Sequence, residues 1–203
     1  QETKKETEQD YLHNAQNYQQ AGNAEMAFQQ YMVAARDYGC PEAQFQVARC
    51  YQNGTGVEKN EENAVVWYKK AAEQECPEAQ YELGVCYETG DGVGKDEAKA
   101  AELYRKAAVQ GYAEAQNELG ACYSNGTGVA KDLEQAFECY CKAAKQGNVK
   151  AQYNLGLCYE YGDGVTKDLG RAAEWFRKSA EQGDAYAQCE LGCCYYYGRG
   201  VTG

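Results

Sequence analysis

Apolar residues recur along this chain at helical spacing, and the same stripe returns every 36 residues. In Ala79-Gln80-Tyr81-Glu82-Leu83-Gly84-Val85-Cys86-Tyr87 the apolar positions Ala79, Leu83, Cys86 and Tyr87 fall at i, i+4, i+7 and i+8, one face of an amphipathic helix. The pattern predicts a helix A over residues 77–89. The string Ala-Gln-x-x-(Val/Leu)-(Ala/Gly)-x-Cys-Tyr starts at Ala43, Ala79, Ala115, Ala151 and Ala187 without slippage. A second stripe follows: Ala64, Trp67, Tyr68, Ala71 and Ala72, then Ala100, Leu103, Tyr104, Ala107 and Ala108. It recurs as Ala136, Cys139, Tyr140, Ala143 and Ala144, and as Ala172, Trp175, Phe176, Ser179 and Ala180, predicting a helix B in each unit.

The punctuation agrees. Gly-x-Gly-Val loops begin at Gly54, Gly90, Gly126, Gly162 and Gly198. Glycine reaches φ > 0 without strain and stops helix A, after which the valine is expected to turn back onto the core. Asn60, Asp96, Asp132 and Asp168 have the side chains that cap a helix start, so helix B opens there. Pro41 and Pro77 fall in the first turn of helix A, where a missing N–H costs little.

A fixed period of this size specifies a solenoid, in which each hairpin covers its apolar face only by stacking on its neighbours. Residues 1–39 break the pattern: Ala15, Tyr18, Gly22, Ala27, Tyr31 and Ala34 imply a shorter hairpin turning at Ala21-Gly22-Asn23. That segment reads as a capping hairpin of the tetratricopeptide type, with its joint from Arg36 to Cys40 one residue longer than later joints. Repeats then span 40–75, 76–111, 112–147 and 148–183, with a partial copy at 184–203. Because that copy stops after helix A and the first residue is Gln1, the sequence reads as a fragment of a longer protein, or else the last helix A is a cap.

Charge narrows the function. The formal net charge is −11, the opposite of the clustered Lys and Arg that nucleic acid requires, and its plain meaning is solubility. No apolar run approaches the ~18 residues of a membrane-spanning helix. A signal peptide already removed would leave no trace.

The run Ala-x-x-x-Leu-Gly-x-x-Tyr-x-x-Gly-x-Gly-Val-x-x-Asp-x-x-x-Ala-x-x-Trp-Tyr-x-Lys-Ala-Ala resembles the Sel-one-like repeat, a relative of the tetratricopeptide repeat. Ala151, Leu155, Gly156, Tyr159, Gly162, Gly164, Val165, Asp168, Ala172, Trp175, Phe176, Lys178 and Ala180 carry the match, which covers about residues 40–203. The resemblance implies an all-α, right-handed α/α superhelical solenoid of helix-turn-helix repeats. It implies a non-catalytic adaptor that binds a protein or peptide, without a cofactor.

By the same resemblance helix A lines the concave side. The groove positions are then Phe45, Arg49 and Gln52; Tyr81, Val85 and Glu88; Asn117, Ala121 and Ser124; Tyr153, Leu157 and Glu160; Cys189, Cys193 and Tyr196. These vary between copies while core positions hold. Phe45, Tyr81, Tyr153 and Tyr196 are of the type enriched at interfaces, and Glu82, Glu118 and Glu190 add negative charge beside them. The expectation is a groove for an extended or helical peptide with basic segments; the alternative makes these tyrosines half-buried core edges. End-to-end self-association through residues 185–197 is also expected. A rival reading makes the array a rigid spacer whose specific activity lies outside this segment.

Eleven cysteines admit three readings. Cys50, Cys86, Cys122, Cys158 and Cys194 occupy one position on the helix A stripe, where free cysteine packs as a small hydrophobe. Stacked copies lie about 10 Å apart, beyond the ~7 Å a disulfide spans. The resemblance offers a second scheme, a bridge from the end of helix B to the next helix A, but its positions hold Ala72 and Gln80, Ala108 and Gln116, Ala144 and Gln152, and Ala180 and Gln188. A reduced, intracellular protein is favoured. For metal there is no C-x-x-C pair and one histidine, His13, leaving Cys189 and Cys193 as the one pair able to share a face. No G-x-S-x-G, H-E-x-x-H or P-loop lysine occurs, the glycine loops follow helices rather than strands, and nothing supplies a nucleophile–base pair, so the expectation is a protein that is not an enzyme.

Overall fold

The computed structural model describes residues 7–201, which form eleven α-helices and no strand among the described residues. The capping hairpin is α1 (Glu8–Gln20) and α2 (Ala24–Asp37). Helix A of successive repeats is α3 (Pro41–Asn53), α5 (Pro77–Thr89), α7 (Ala113–Asn125), α9 (Val149–Tyr161) and α11 (Ala185–Tyr197). Helix B is α4 (Glu61–Glu73), α6 (Glu97–Val109), α8 (Leu133–Lys145) and α10 (Leu169–Glu181). The chain is a helical repeat solenoid, and its helices fall into two compact units, residues 1–106 and 107–203.

The predicted punctuation is in place. Asn60, Asp132 and Asp168 each accept the backbone N–H three residues on, and Asp96 accepts that of Lys99. The five helix A segments of the repeats end on glycines with φ between 65° and 90°. The second loop glycine permits a close approach instead. A Cβ at Gly56, Gly92, Gly164 or Gly200 would strike the carbonyl of Ala24, Glu61, Leu133 or Leu169, the first residue of the preceding helix B or its capping equivalent. Val93, Val165 and Val201 turn back onto the core.

One joint differs from its expectation. Between α2 and α3 lie three residues, Tyr38–Cys40, as between α4 and α5 and at every later joint. The extra residue lies in α2, which has 14 residues where the other helices have 13. The Cys40 N–H therefore reaches back to Ala34, whereas the Cys76 N–H reaches Ala71.

In the three hairpins from α5 to α10 the core is a ring pressed onto a glycine, while α3 has Ala48 at that position. A Cβ added at Gly84, Gly120 or Gly156 would lie 2.5–2.7 Å from the ring of Tyr104, Tyr140 or Phe176. At these three positions the ring occupies the space that a Cβ would fill. The buried ring and the small residues around it then replace water, at roughly 25 cal/mol per Å² of apolar surface.

A polar ladder joins consecutive hairpins, and the hydrophobic pattern does not announce it. Gln44, Gln80, Gln116 and Gln152 are buried. The Gln116 and Gln152 amides donate to the carbonyls of Ala108 and Ala144 at 3.1 and 3.4 Å. Their oxygens accept from Gln146 and Gln182 at 2.8 and 2.7 Å, and Gln44 accepts from Gln74 at 2.9 Å. Gln44, Gln116 and Gln152 thus each satisfy a helix-end carbonyl and tie the glutamine 30 residues on, and Gln80 donates to the Ala72 carbonyl at 3.3 Å.

Candidate partner-binding groove

The candidate positions form one stripe on each helix A, and their exposure differs. Arg49, Cys189 and Tyr196 are exposed, and Phe45, Tyr81, Val85, Glu88, Tyr153 and Leu157 are half-buried. Asn117 and Glu160 are buried, at 3% and 5% exposure, so neither offers its side chain to a partner here. Asn117 accepts from Asn154 at 3.0 Å, and the Glu160 carboxylate bonds Arg199 Nη1 at 2.5 Å. A repeat position is placed by its own hairpin but covered by the next, and the spacing within one repeat does not reveal that second contact.

The aromatic positions are built from beneath. The Phe45, Tyr81 and Tyr153 rings lie 5.8–5.9 Å from the helix B rings of Tyr68, Tyr104 and Phe176. Each therefore has one face on the core and presents its remainder outward, combining the two alternatives the sequence leaves open. Tyr186 adds a ring 6.1 Å from Tyr153, a contact across successive hairpins.

The last position of the stripe receives a hydroxyl from helix B. Tyr68 donates to Gln52 at 2.6 Å and Tyr104 to Glu88 at 2.7 Å, while Tyr140 hydrogen-bonds Ser124. The Glu88 carboxylate is thereby held in one orientation.

In the first unit Arg49 stacks over Phe45, 5.8 Å from the ring centroid. Burial pushes the Glu82 carboxyl above the usual range, opposed by the Arg49 charge and a hydrogen bond with Gln52. In the second unit Tyr153 is raised by burial and then by the charges of Glu190 and Asp184. The chemistry on offer is therefore aromatic contact plus charge recognition.

The eleven cysteines are free thiols. Cys86, Cys122, Cys158 and Cys194 are buried at the shared repeat position, and Cys50 is half-buried. Among the described residues no three His, Cys, Asp or Glu side chains gather as a metal-holding group, and no helix is long and apolar enough to cross a membrane. His13 is exposed on α1.

Comparison with known proteins agrees with this architecture. The Sel1 repeat model matches residues 41–76, 77–112, 113–148, 149–184 and 185–203. A protective antigen of uropathogenic Escherichia coli strains, displaying an SLR fold, is 38% identical with a TM-score of 0.91; the match covers 97% of this chain and 43% of the antigen. A Sel1 repeat protein from Oxalobacter formigenes is 37% identical with a TM-score of 0.88, over 95% of this chain and 76% of that one. Cysteine-rich protein B of Helicobacter pylori is 26% identical with a TM-score of 0.53, over 66% of this chain and 96% of that one. No curated protein matches. Sel1 repeat proteins generally mediate protein–protein interaction and are typically non-enzymatic. Five consecutive matches place residues 41–203 in one register, and the chain belongs to the Sel1 repeat family.

Proposed function

We propose that this protein is a non-catalytic adaptor that binds a protein or peptide along the helix A stripe. The observation that supports this is the contrast between fixed and varying positions. Ala, Gln and Cys-Tyr repeat in all five copies, while the position after the glutamine is Phe45, Tyr81, Asn117, Tyr153 or Cys189. A stripe needed only for packing has no reason to diversify beside a core that does not. Half-exposed rings next to Glu82, Glu88 and Glu190 favour a partner with basic segments, which such rings hold by cation–π contact. Affinity capture from native lysate, comparing wild type with a Tyr81→Ala, Tyr153→Ala double variant that still melts cooperatively, tests this reading. Loss of a specific protein with the variant supports the groove, and identical captures count against it.

A further inference from the structure

Within the first unit one cavity has an arginine and no carboxylate in its lining. Its volume is about 160 Å³, and it lies where the capping hairpin meets α3. Ala27, Tyr31 and Cys50 form its apolar lining, and Gln19, Gln46, Arg49 and Asn53 its polar lining. We propose that this cavity binds a carboxylate of a partner polypeptide, either a C terminus or an Asp or Glu side chain.

The cavity arises from the short turn of the cap. Three residues join α1 to α2, where seven join α3 to α4, so Gly22 borders this crevice while Lys59 of the longer loop borders the next one. That next crevice surrounds Cys86, the repeat equivalent of Cys50, with a volume of about 220 Å³. It carries Glu61 where the first has Ala24, and Asp91 where the first has Thr55. Val85 stands at the position of Arg49. The repeat supplies the shape; the second crevice holds Asp91 and a Glu61 paired with Lys59 at 2.8 Å, whereas the first has an arginine and no carboxylate in its lining.

The donors are available. Arg49 makes no ion pair among the described residues; its guanidinium rests on the Phe45 ring, and Glu82 influences it only through space. Tyr31 donates to Gln19 Oε1 at 3.0 Å, which leaves the Gln19 amide N–H groups as donors. Gln46 and Asn53 have no side-chain partner among the described residues. A guanidinium fork flanked by amides suits a carboxylate, which accepts two parallel N–H bonds. A cavity near 150 Å³ holds a ligand of benzene's size, so a terminal residue or an acidic side chain fits. In a chain of net charge −11 this lining is distinguished by its arginine, although the Glu42 charge acts on Tyr31 and Glu82 interacts with Arg49 through space.

The test is a heteronuclear NMR titration of the full chain with three N-acetylated peptides, Ala-Ser-Gly-Ser-Ala as free acid, the same peptide as C-terminal amide, and an amide with Glu at the central position. The expected result is shifts at Gln46, Arg49, Cys50 and Asn53 with an acidic peptide, and binding about tenfold weaker for the acid-free amide. Whichever acidic peptide binds tighter identifies the source of the carboxylate. Arg49→Gln, at an exposed position, abolishes the shifts, and Arg49→Lys retains part of the affinity. Equal binding of the acid-free amide, no shifts with either acidic peptide, or undiminished binding by Arg49→Gln overturns the proposal. Arg49 also belongs to the groove stripe; Tyr153→Ala, in the other unit, leaves this titration unchanged, so the cavity is tested apart from the Tyr81 and Tyr153 positions.

Discussion

Phe176 and Glu160 hold the repeat positions at which, in the α5–α6 hairpin, the Tyr104 hydroxyl donates to Glu88 at 2.7 Å. Without that hydroxyl, Glu160 takes Arg199 from the following loop, and its second carboxylate oxygen has no partner among the described residues. One missing oxygen atom thus redirects a buried carboxylate from its own hairpin to the next.

Restoring the hydroxyl is therefore expected to stabilise the fold. Phe176→Tyr supplies the unpartnered Glu160 oxygen with a donor, worth about 0.5–1.5 kcal/mol or more for a charged acceptor. The reverse change, Tyr104→Phe, removes the donor from Glu88 and is expected to cost about 1.5–3 kcal/mol. Urea unfolding of both variants checks the pair; destabilisation by Phe176→Tyr contradicts the equivalence of the two hairpins.

The same substitution has opposite signs at two equivalent glycines. At Gly156 a Cβ lies 2.5 Å from the Phe176 ring, so Gly156→Ala forces the hairpin apart, at about 1–3 kcal/mol. At Gly192 the space is open, and Gly192→Ala gains up to about 1 kcal/mol of helix propensity. Thermal midpoints that move in the same direction count against the packing described.

The glutamine ladder should behave as a structural unit. Gln152→Ala leaves the Ala144 carbonyl and the Gln182 amide without their partner, an expected loss of about 1–3 kcal/mol. Gln188 lies at the same repeat position but is exposed, so Gln188→Ala is expected to cost less. Equal losses in a chemical-denaturation comparison contradict the ladder.

Stability should fall at high pH. Burial, followed by the Glu82, Asp91 and Glu61 charges, pushes the Cys86 thiol up to about 11, and burial followed by Asp163 pushes Cys158 up to about 12. The folded state favours the neutral thiol, so this contribution is complete below the ordinary value of 9.0 and is lost as pH rises from there through about 11 to 12. The urea midpoint is expected to decline across that window. At neutral pH a thiol reagent should modify the exposed Cys189 well before the buried Cys86 and Cys158.

Much of this architecture is legible in sequence because each device is local. The Asp168 cap, the Gly162 stop and the Ala172–Phe176 stripe all act within one hairpin and repeat at a fixed offset. What escapes are the contacts between hairpins. Gln116 reads as a surface residue until the preceding hairpin supplies the Ala108 carbonyl, and Asn117 and Glu160 read as groove residues until Asn154 and Arg199 cover them. The repeated glutamine is the available signal, since a polar residue held in every copy on an otherwise apolar string needs a partner. The extra residue of α2 escapes for a related reason: a helix absorbs it by one more turn position, and no sequence cue marks which side of the boundary it joins.

The most direct test of the groove is a photo-cross-linking scan with a reactive residue placed, one at a time, at Tyr81, Val85, Tyr153 and Leu157 on helix A and at exposed Lys106 and Lys142 on helix B. The expected result is that the helix A positions trap one partner polypeptide and that the helix B positions do not. Equal trapping on both sets, or none on helix A while the partner still co-purifies, contradicts the groove and returns the array to the role of a spacer.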